Sequence, residues 1–203
     1  AAYTILRVRR PVFRNSYLGL IAGARDQAET YNRGLGIDGR INLRDRYSLV
    51  FQRMQSWARD RDFTAAIGRL APGDAASVDP ALRDRTGRIT RGDATSIELS
   101  RSSLGLDAGG SYLDISPDFA ADMGFVNRTD QVRFLGWLAP HLIGREGAWF
   151  TRITPRLDVE RIHEHGPAHG GRRAIGRRVD ESWAPQVEIK LPHKTAFAAT
   201  YRR

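Results

Sequence analysis

The sequence predicts an all-β fold, namely an antiparallel up-and-down transmembrane β-barrel or a fragment of one. Three features predict it: apolar and polar residues alternate with a period of two, the alternating runs are long, and the connections between runs are short on one side of the predicted sheet and longer on the other. A period of two places two chemically different faces on one extended strand, whereas a helix repeats every 3.6 residues. We therefore expect about eleven strands and no helix.

The first two predicted strands, 4–10 and 16–23, alternate weakly, and the third is the clearest in the chain. In residues 31–43 the odd positions are mostly apolar, as at Leu35, while the even positions are polar or glycine, as at Asp38. This pattern fits a strand with one apolar and one polar face. Weaker alternation predicts further strands at 47–57, 63–70, 94–102, 104–115 and 131–140.

The C-terminal part contains three more runs. Residues 149–160 alternate between an apolar set that includes Ile153 and a polar set that includes Arg152, and shorter runs follow at 186–191 and 195–201. Runs of about eight to fourteen residues exceed the five or six that are usual in soluble sheets, and tilted membrane strands need such lengths.

The two faces are expected to meet different environments in a barrel. The residues predicted to face lipid are apolar: Leu35, Ile37, Ile41, Leu43, Ile153, Leu157, Val159, Val187, Ile189 and Leu191. The residues predicted to face a polar lumen are charged or amides: Asp38, Arg40, Asn42, Arg152, Arg156, Glu188 and Lys190. A soluble protein would instead pack the apolar set as its core. Aromatic residues near the ends of runs suit an interfacial girdle, although aromatics are common in all strands: Tyr31, Tyr47, Trp57, Trp137, Trp149, Trp183 and Tyr201.

The predicted connections differ in length on the two sides of the sheet. One side has only short connections, at 24–29, 58–62, 103, 141–147 and 192–194. The other side has the long ones at 71–93, 116–130 and 161–182, together with 11–15 and 44–46. Outer-membrane barrels have this asymmetry, and they usually have an even number of strands. We therefore expect residues 1–203 to form a single β-barrel domain that is incomplete.

Composition excludes several classes of protein. The chain has 203 residues and no cysteine, which rules out disulfide frameworks, thiolate nucleophiles and cysteine-ligated zinc. No apolar run approaches the roughly 18 residues of a transmembrane helix. Lys and Arg number 32 against 23 Asp and Glu, a net charge of +9 that suits contact with phosphates, acidic polymers or anionic lipid headgroups.

Candidate chemistry is sparse, and we expect no enzyme activity and no catalytic, cofactor-binding or metal-binding residues. One cluster has metal-like spacing, but its glycine- and arginine-rich surroundings favour a solvated loop: His163, His165 and His169. Asp158 and Glu160 share a face with Arg152 and Arg156, which favours a neutralising ladder over an acid–base pair. Neither a Gly-x-Ser-x-Gly elbow nor a phosphate-binding glycine loop with its Lys occurs.

Three stretches of the chain resemble a known family. Residues 116–130 read SPDFAADMGFVNRTD, and upstream the stretches RNSYLGLI at 14–21 and YNRGLGID at 31–38 occur in the same order as in that family. It is a bacterial family of large proteins in which a carbohydrate-binding-like domain of the family 9 type precedes a membrane-associated β-barrel domain of uncharacterised function. The resemblance covers roughly the first two thirds of the chain, and nothing matches the carbohydrate-binding domain.

The resemblance implies a barrel in the bacterial outer membrane with a passage, surface-binding or envelope-scaffolding role. Outer-membrane lipid or lipopolysaccharide is then the expected partner, with carbohydrate or other envelope proteins as further candidates. The residues themselves predict that 116–130 is an anchored loop, because Pro117 and Asp118 suit a turn and phenylalanines can pack it down. Arg128 and Asp130, two apart, are expected to pair where this loop enters the next strand.

A competing interpretation starts from the arginines. They concentrate in two predicted loops, with Trp183 near the second: Arg69, Arg83, Arg85, Arg88 and Arg91, then Arg172, Arg173, Arg177 and Arg178. A soluble basic β-sheet protein would use such charges on nucleic acid or another polyanion. No RNP-type motif appears, and aspartates interrupt the first group. This alternative therefore ranks second, and we do not expect nucleic acid to be the partner.

Overall fold

The chain folds as one antiparallel up-and-down sheet in a computed structural model that describes residues 1–60, 67, 69–70, 87–121, 128–169 and 172–202. In chain order the strands are β1 Ala2–Val12, β2 Ser16–Gln27, β3 Thr30–Leu43, β4 Tyr47–Arg59, β5 Ile89–Arg101, β6 Leu106–Ile115, β7 Gln131–Pro140, β8 Leu142–Ile143, β9 Arg152–His169, β10 Arg172–Lys190 and β11 Ala196–Thr200. Each strand pairs with the next along the chain, except that β7 and the short β8 both pair with β9. The predicted all-β, up-and-down fold is confirmed.

The sheet has two open edges within the described part of the chain. Its order begins at β1 and ends at β11, which do not pair with each other, so hydrogen bonds do not close it into a barrel. A 3₁₀ turn at Pro192–Lys194 separates β10 from β11. No helix in the described residues is long and apolar enough to cross a bilayer.

The strands pair in a register that places the predicted apolar residues on one face of the sheet and the predicted polar residues on the other. We call the face that bears Leu35 and Leu138 the outer face, and the face that bears Asn32, Asp38 and Ser56 the inner face. Leu35 and Leu138 are 47% and 52% exposed, whereas Asn32, Asp38 and Ser56 are buried. Exposed large apolar residues and buried small polar ones reverse the arrangement of a soluble core.

The sheet curves toward its inner face. Ile5 of β1 and Leu113 of β6 line one cavity, although five strand spacings would separate these strands by about 24 Å in a flat sheet. Curvature of this kind gives the inner face a concave shape.

One predicted strand is not a member of this sheet. Of residues 63–70 the structure describes only Ile67, Arg69 and Leu70, where the Leu70 amide donates to the Ile67 carbonyl in a turn. β4 pairs directly with β5 along its whole length. No strand therefore lies between β4 and β5 in the sheet, and most of the predicted strand 63–70 lies outside the described residues.

The predicted long loop at 161–182 is also wrong, because β9 and β10 extend through most of it as a hairpin. Apolar alternation stops there, but ion pairs replace it. Arg161 bonds Glu181 directly across the two strands, and Arg177 approaches Glu164 at 3.5 Å. Opposite charges facing each other across strands stabilise a hairpin that a hydrophobic pattern does not reveal.

The connections are short on one side of the sheet and longer on the other, as predicted, but several of them lie on the side opposite to the predicted one. One side holds only the turns and short loops 13–15, 44–46, 102–105, 141–151 and 191–195. The opposite side holds the long connections 60–88 and 116–130, the tight turn at 28–29 and the end of the β9–β10 hairpin. The connections near 11–15 and 44–46 were predicted for the long side and lie on the short one. Those near 24–29 and 58–62 were predicted for the short side and lie on the long one, because β4 pairs directly with β5 and no strand lies between them.

Candidate functional site

The candidate site is the concave inner face together with a piece of chain that lies over it. Residues 116–121, which we call the inner loop, follow β6 and carry the first part of the segment that resembles the barrel family. Of the rest of that segment, 122–127 lie outside the described residues and 128–130 lead into β7. The inner loop therefore occupies the face that the sequence predicts to be a lumen.

Hydrogen bonds from three strands hold the inner loop in place. The Ala120 amide donates to Ser56 Oγ of β4 at 3.1 Å, and Asn32 Nδ2 of β3 donates to the Ala120 carbonyl at 3.1 Å. Ser116 exchanges two 2.9 Å hydrogen bonds with the backbone of Asp93 in β5. The predicted anchoring of this loop is thus confirmed for its described part, and the anchors are the small polar side chains of Asn32, Ser56 and Ser116.

Close packing adds to this anchoring. Phe119 is buried, and its backbone lies directly on Gly92 of β5. A Cβ added to Gly92 would lie 2.3 Å from the Phe119 nitrogen and Cα, a distance that no side chain tolerates. Gly92 therefore allows the inner loop to touch the sheet.

We expect Gly92→Val to lift the inner loop and to lower the free energy of unfolding by about 1–3 kcal/mol, the usual cost of forcing extra atoms into a packed site. Hydrogen–deuterium exchange at Ala120 should accelerate as the hydrogen bond from its amide to Ser56 Oγ is lost. The matched control is Gly136→Val in β7, where an added Cβ meets no atom within 4 Å. Unchanged exchange in Gly92→Val would contradict the packing described here.

A cavity of about 390 Å³ lies between the inner loop and the sheet. Its walls are largely apolar, with Ile21, Met54 and Leu113 from the strands and Phe119 from the loop, and Gln52 provides a polar contact. This volume is in the range of small-molecule pockets. The inner loop thus narrows the concave space without filling it.

Ion pairs neutralise much of the remaining inner face. Arg156 donates hydrogen bonds from two guanidinium nitrogens to the Asp158 carboxylate, the shortest at 2.6 Å. This part of the predicted ladder is therefore confirmed. Glu160 instead bonds Arg133 of the neighbouring β7. Toward the opposite edge of the sheet, and still on the inner face, Arg7 of β1 bonds Asp38 of β3 at 2.6 Å. The sequence did not predict this pair.

Comparison with known proteins yields no relative. No family model, curated protein or solved structure matches the chain. The resemblance of 14–21, 31–38 and 116–130 to the outer-membrane family therefore stays a prediction, and the case for function depends on the geometry of the faces.

The histidine cluster lies in strand β9 and not in the predicted solvated loop. The His165 ring is 6% exposed, with Nδ1 3.0 Å from Asp130 Oδ1 and Nε2 2.9 Å from Asp114 Oδ1. Tyr112 donates to the other oxygen of Asp114 at 2.8 Å. The described residues contain no group of three or more His, Cys, Asp or Glu side chains arranged to hold a metal ion.

This His165 cluster fastens the end of the 116–130 connection to β6 and β9. Asp130 has a positive φ of 55° immediately before β7, and it also accepts the His165 backbone amide at 3.2 Å. The predicted pair between Arg128 and Asp130 is wrong, since Arg128 lies 3.9 Å from Glu164 instead. The described arginines of the two predicted basic loops are dispersed, with Arg91 on β5 and Arg177 and Arg178 on β10.

Proposed function

We propose that this chain forms part of the wall of a transmembrane β-barrel in a bacterial outer membrane, with a non-catalytic role in passage across it. The observation that carries the proposal is a band of exposed apolar residues that crosses the outer face obliquely to the strands. Exposed members of the band include Leu6, Leu20, Ile37, Leu99, Leu138 and Leu157.

The band has the slant expected for tilted strands. Gly39, at the middle of the apolar run of β3, aligns through the paired strands with Glu181 of β10. The apolar run of β10, from Trp183 to Ile189, is instead centred about five residues, or roughly 17 Å, nearer the short turns. Six strand spacings separate β3 from β10, about 29 Å. The band therefore crosses the strands at an angle equivalent to a tilt of about 30°, close to the 35–45° of membrane barrels.

The inner face supports a polar lumen. Its groups include Arg40, Gln52 and Glu98, which are exposed to the concave space, and the ion pairs formed by Asp38 and Asp158. The inner loop projects into the same space and would constrict a passage there. In the described part of the chain β1 and β11 each pair with a strand on one side only, and additional strands would complete the barrel at these edges.

Cysteine labelling tests the assignment of the faces, and the chain is a clean background because it has no cysteine. In vesicles, Ile37→Cys and Leu138→Cys should react with a lipid-soluble maleimide and resist a charged one, since both positions are exposed on the outer face. Arg40→Cys and Gln52→Cys on the inner face should react with the charged reagent.

Three results would overturn the proposal or its passage role. Reaction of all four cysteines with the charged reagent would mean that the outer face meets water. Protection of Arg40→Cys and Gln52→Cys from both reagents would mean a dry interior and would exclude an open passage. Absence of single-channel current from the reconstituted protein in planar bilayers would likewise overturn the passage role.

A further inference from the structure

We propose that the outer face carries a binding site for the phosphate group of an anionic lipid, at the long-connection end of β3, β4 and β5. This inference rests on the proposed membrane-spanning function and adds the chemical class of lipid that the barrel would hold. The site is formed by five residues that we call the arginine–aromatic patch: Tyr31, Arg33, Trp57, Arg59 and Arg91.

Strand pairing brings these residues into two adjacent rows. Arg33, Trp57 and Arg91 lie directly opposite one another on β3, β4 and β5, and Tyr31 lies opposite Arg59. The Arg33 guanidinium lies over the Tyr31 ring at 5.0 Å from its centroid, and that of Arg91 lies 5.9 Å from the Trp57 centroid. The aromatic rings thereby help to position both guanidinium groups.

The ion pairs among the described residues leave part of the positive charge of the patch unneutralised. Arg33 bonds Asp26 at 2.9 Å, but among the described residues neither Arg59 nor Arg91 forms an ion pair. At the same end of the sheet the β9–β10 hairpin differs, because Arg161 and Arg178 both bond Glu181. Unpaired guanidinium groups with several N–H donors are well suited to phosphate oxygens.

On β3 the patch borders the apolar band, where a lipid headgroup would lie. Leu35 follows Arg33 on the same face of β3 and begins the exposed apolar run of that strand. On β4 and β5, polar residues on the outer face extend from the patch as far as Arg53 and Thr95, and the apolar residues begin at Phe51 and Ile97. Tyr and Trp with Arg beside an apolar surface are typical of the membrane interface.

The arrangement favours lipid phosphate over nucleic acid. Single-stranded nucleic acid binds by stacking its bases on open aromatic faces. In the patch one face of Tyr31 and one face of Trp57 are covered by guanidinium groups. The rings therefore support the arginines, and the arginines remain the groups available to a ligand.

Native mass spectrometry of the detergent-solubilised protein tests the site with phosphatidylglycerol and phosphatidylcholine as probes. The protein should bind phosphatidylglycerol in preference. Arg59→Gln with Arg91→Gln should weaken that binding about 5-fold per arginine and roughly 25-fold together, since each arginine near an anionic surface contributes about 1 kcal/mol. The charge-matched control is Arg40→Gln with Arg152→Gln on the inner face, which should keep the preference.

Three further measurements distinguish the lipid site from a free-phosphate site, from a nucleic-acid site and from failure of the proposed function. Displacement of phosphatidylglycerol by an equal concentration of inorganic phosphate would identify a free-phosphate site and overturn the lipid assignment. Tighter binding of an oligothymidine, lost in the same double variant, would overturn it in favour of nucleic acid. Alkali-resistant integration into phosphatidylcholine vesicles is measured on the same proteins. Integration without headgroup preference defeats only the patch, whereas failure to integrate defeats the proposed function.

Discussion

Replacing His165 by alanine should lower the free energy of unfolding by about 1.5–3 kcal/mol, the usual range for hydrogen bonds to charged groups. The ring is almost fully buried, and its nitrogens bridge Asp114 of β6 and Asp130 at the end of the long connection. Without the ring, Asp114 keeps the Tyr112 hydroxyl and Asp130 keeps the backbone amide of residue 165, but the hydrogen-bonded bridge between the two carboxylates is lost. Denaturant titration of the refolded protein in detergent micelles measures the loss.

Two variants serve as controls for His165→Ala. His165→Gln keeps a side-chain donor and should recover part of the loss. His163→Ala removes the neighbouring histidine of the same face, whose Nδ1 lies 3.3 Å from the Gly176 carbonyl and whose ring packs edge-on against Phe134. Its expected cost is about 1 kcal/mol, that of an ordinary hydrogen bond. Equal losses for His165→Ala and His163→Ala would show that the carboxylate bridge contributes nothing.

Replacing Leu138 by arginine should lower the free energy of unfolding in phospholipid bilayers by about 2–4 kcal/mol, the cost of an arginine on the lipid face near the bilayer midplane. Leu138 is 52% exposed, and it pairs with Leu157 in the middle of the apolar band. In water the same exposed substitution would change stability by no more than about 0.5 kcal/mol. The size of the effect therefore reports which solvent the outer face meets.

The matched control is Leu104→Arg in the turn at 102–105, where the side chain is 81% exposed and lies beyond the band. Its effect should be close to zero in bilayers. A small effect of both substitutions would indicate that the outer face is hydrated, which would favour the soluble alternative. Vesicle-reconstituted protein unfolded by denaturant, with tryptophan fluorescence as the signal, gives both values.

Local pattern was sufficient for the strands and their faces. In a strand every second side chain points the same way, so the alternation in 31–43 places Leu35 and Asp38 on opposite faces whatever the partner strands are. The same reasoning places Ile153 and Arg156 of β9 on opposite faces, as the strand register does. The alternation also gave the up-and-down order, because successive strands joined by short turns pair as neighbours.

Local pattern was not sufficient where cross-strand pairing replaces alternation. Residues 161–182 contain charges on both faces, and they form a hairpin because Arg161 meets Glu181 across the strands. Residues 63–70 alternate like a strand, yet β4 pairs with β5 along its whole length and leaves no place between them. Alternation indicates that a segment can extend, and the available partners decide whether it joins the sheet.

The sequence by itself determined the fold class, most of the strands and the chemical character of each face, because these follow from the period of two within single segments. The tertiary structure alone decided the site. The bond from Asn32 to Ala120 joins residues 88 apart, and that from His165 to Asp114 joins residues 51 apart. Such contacts arise from strand register and sheet curvature, which bring together polar residues that show no common spacing along the chain.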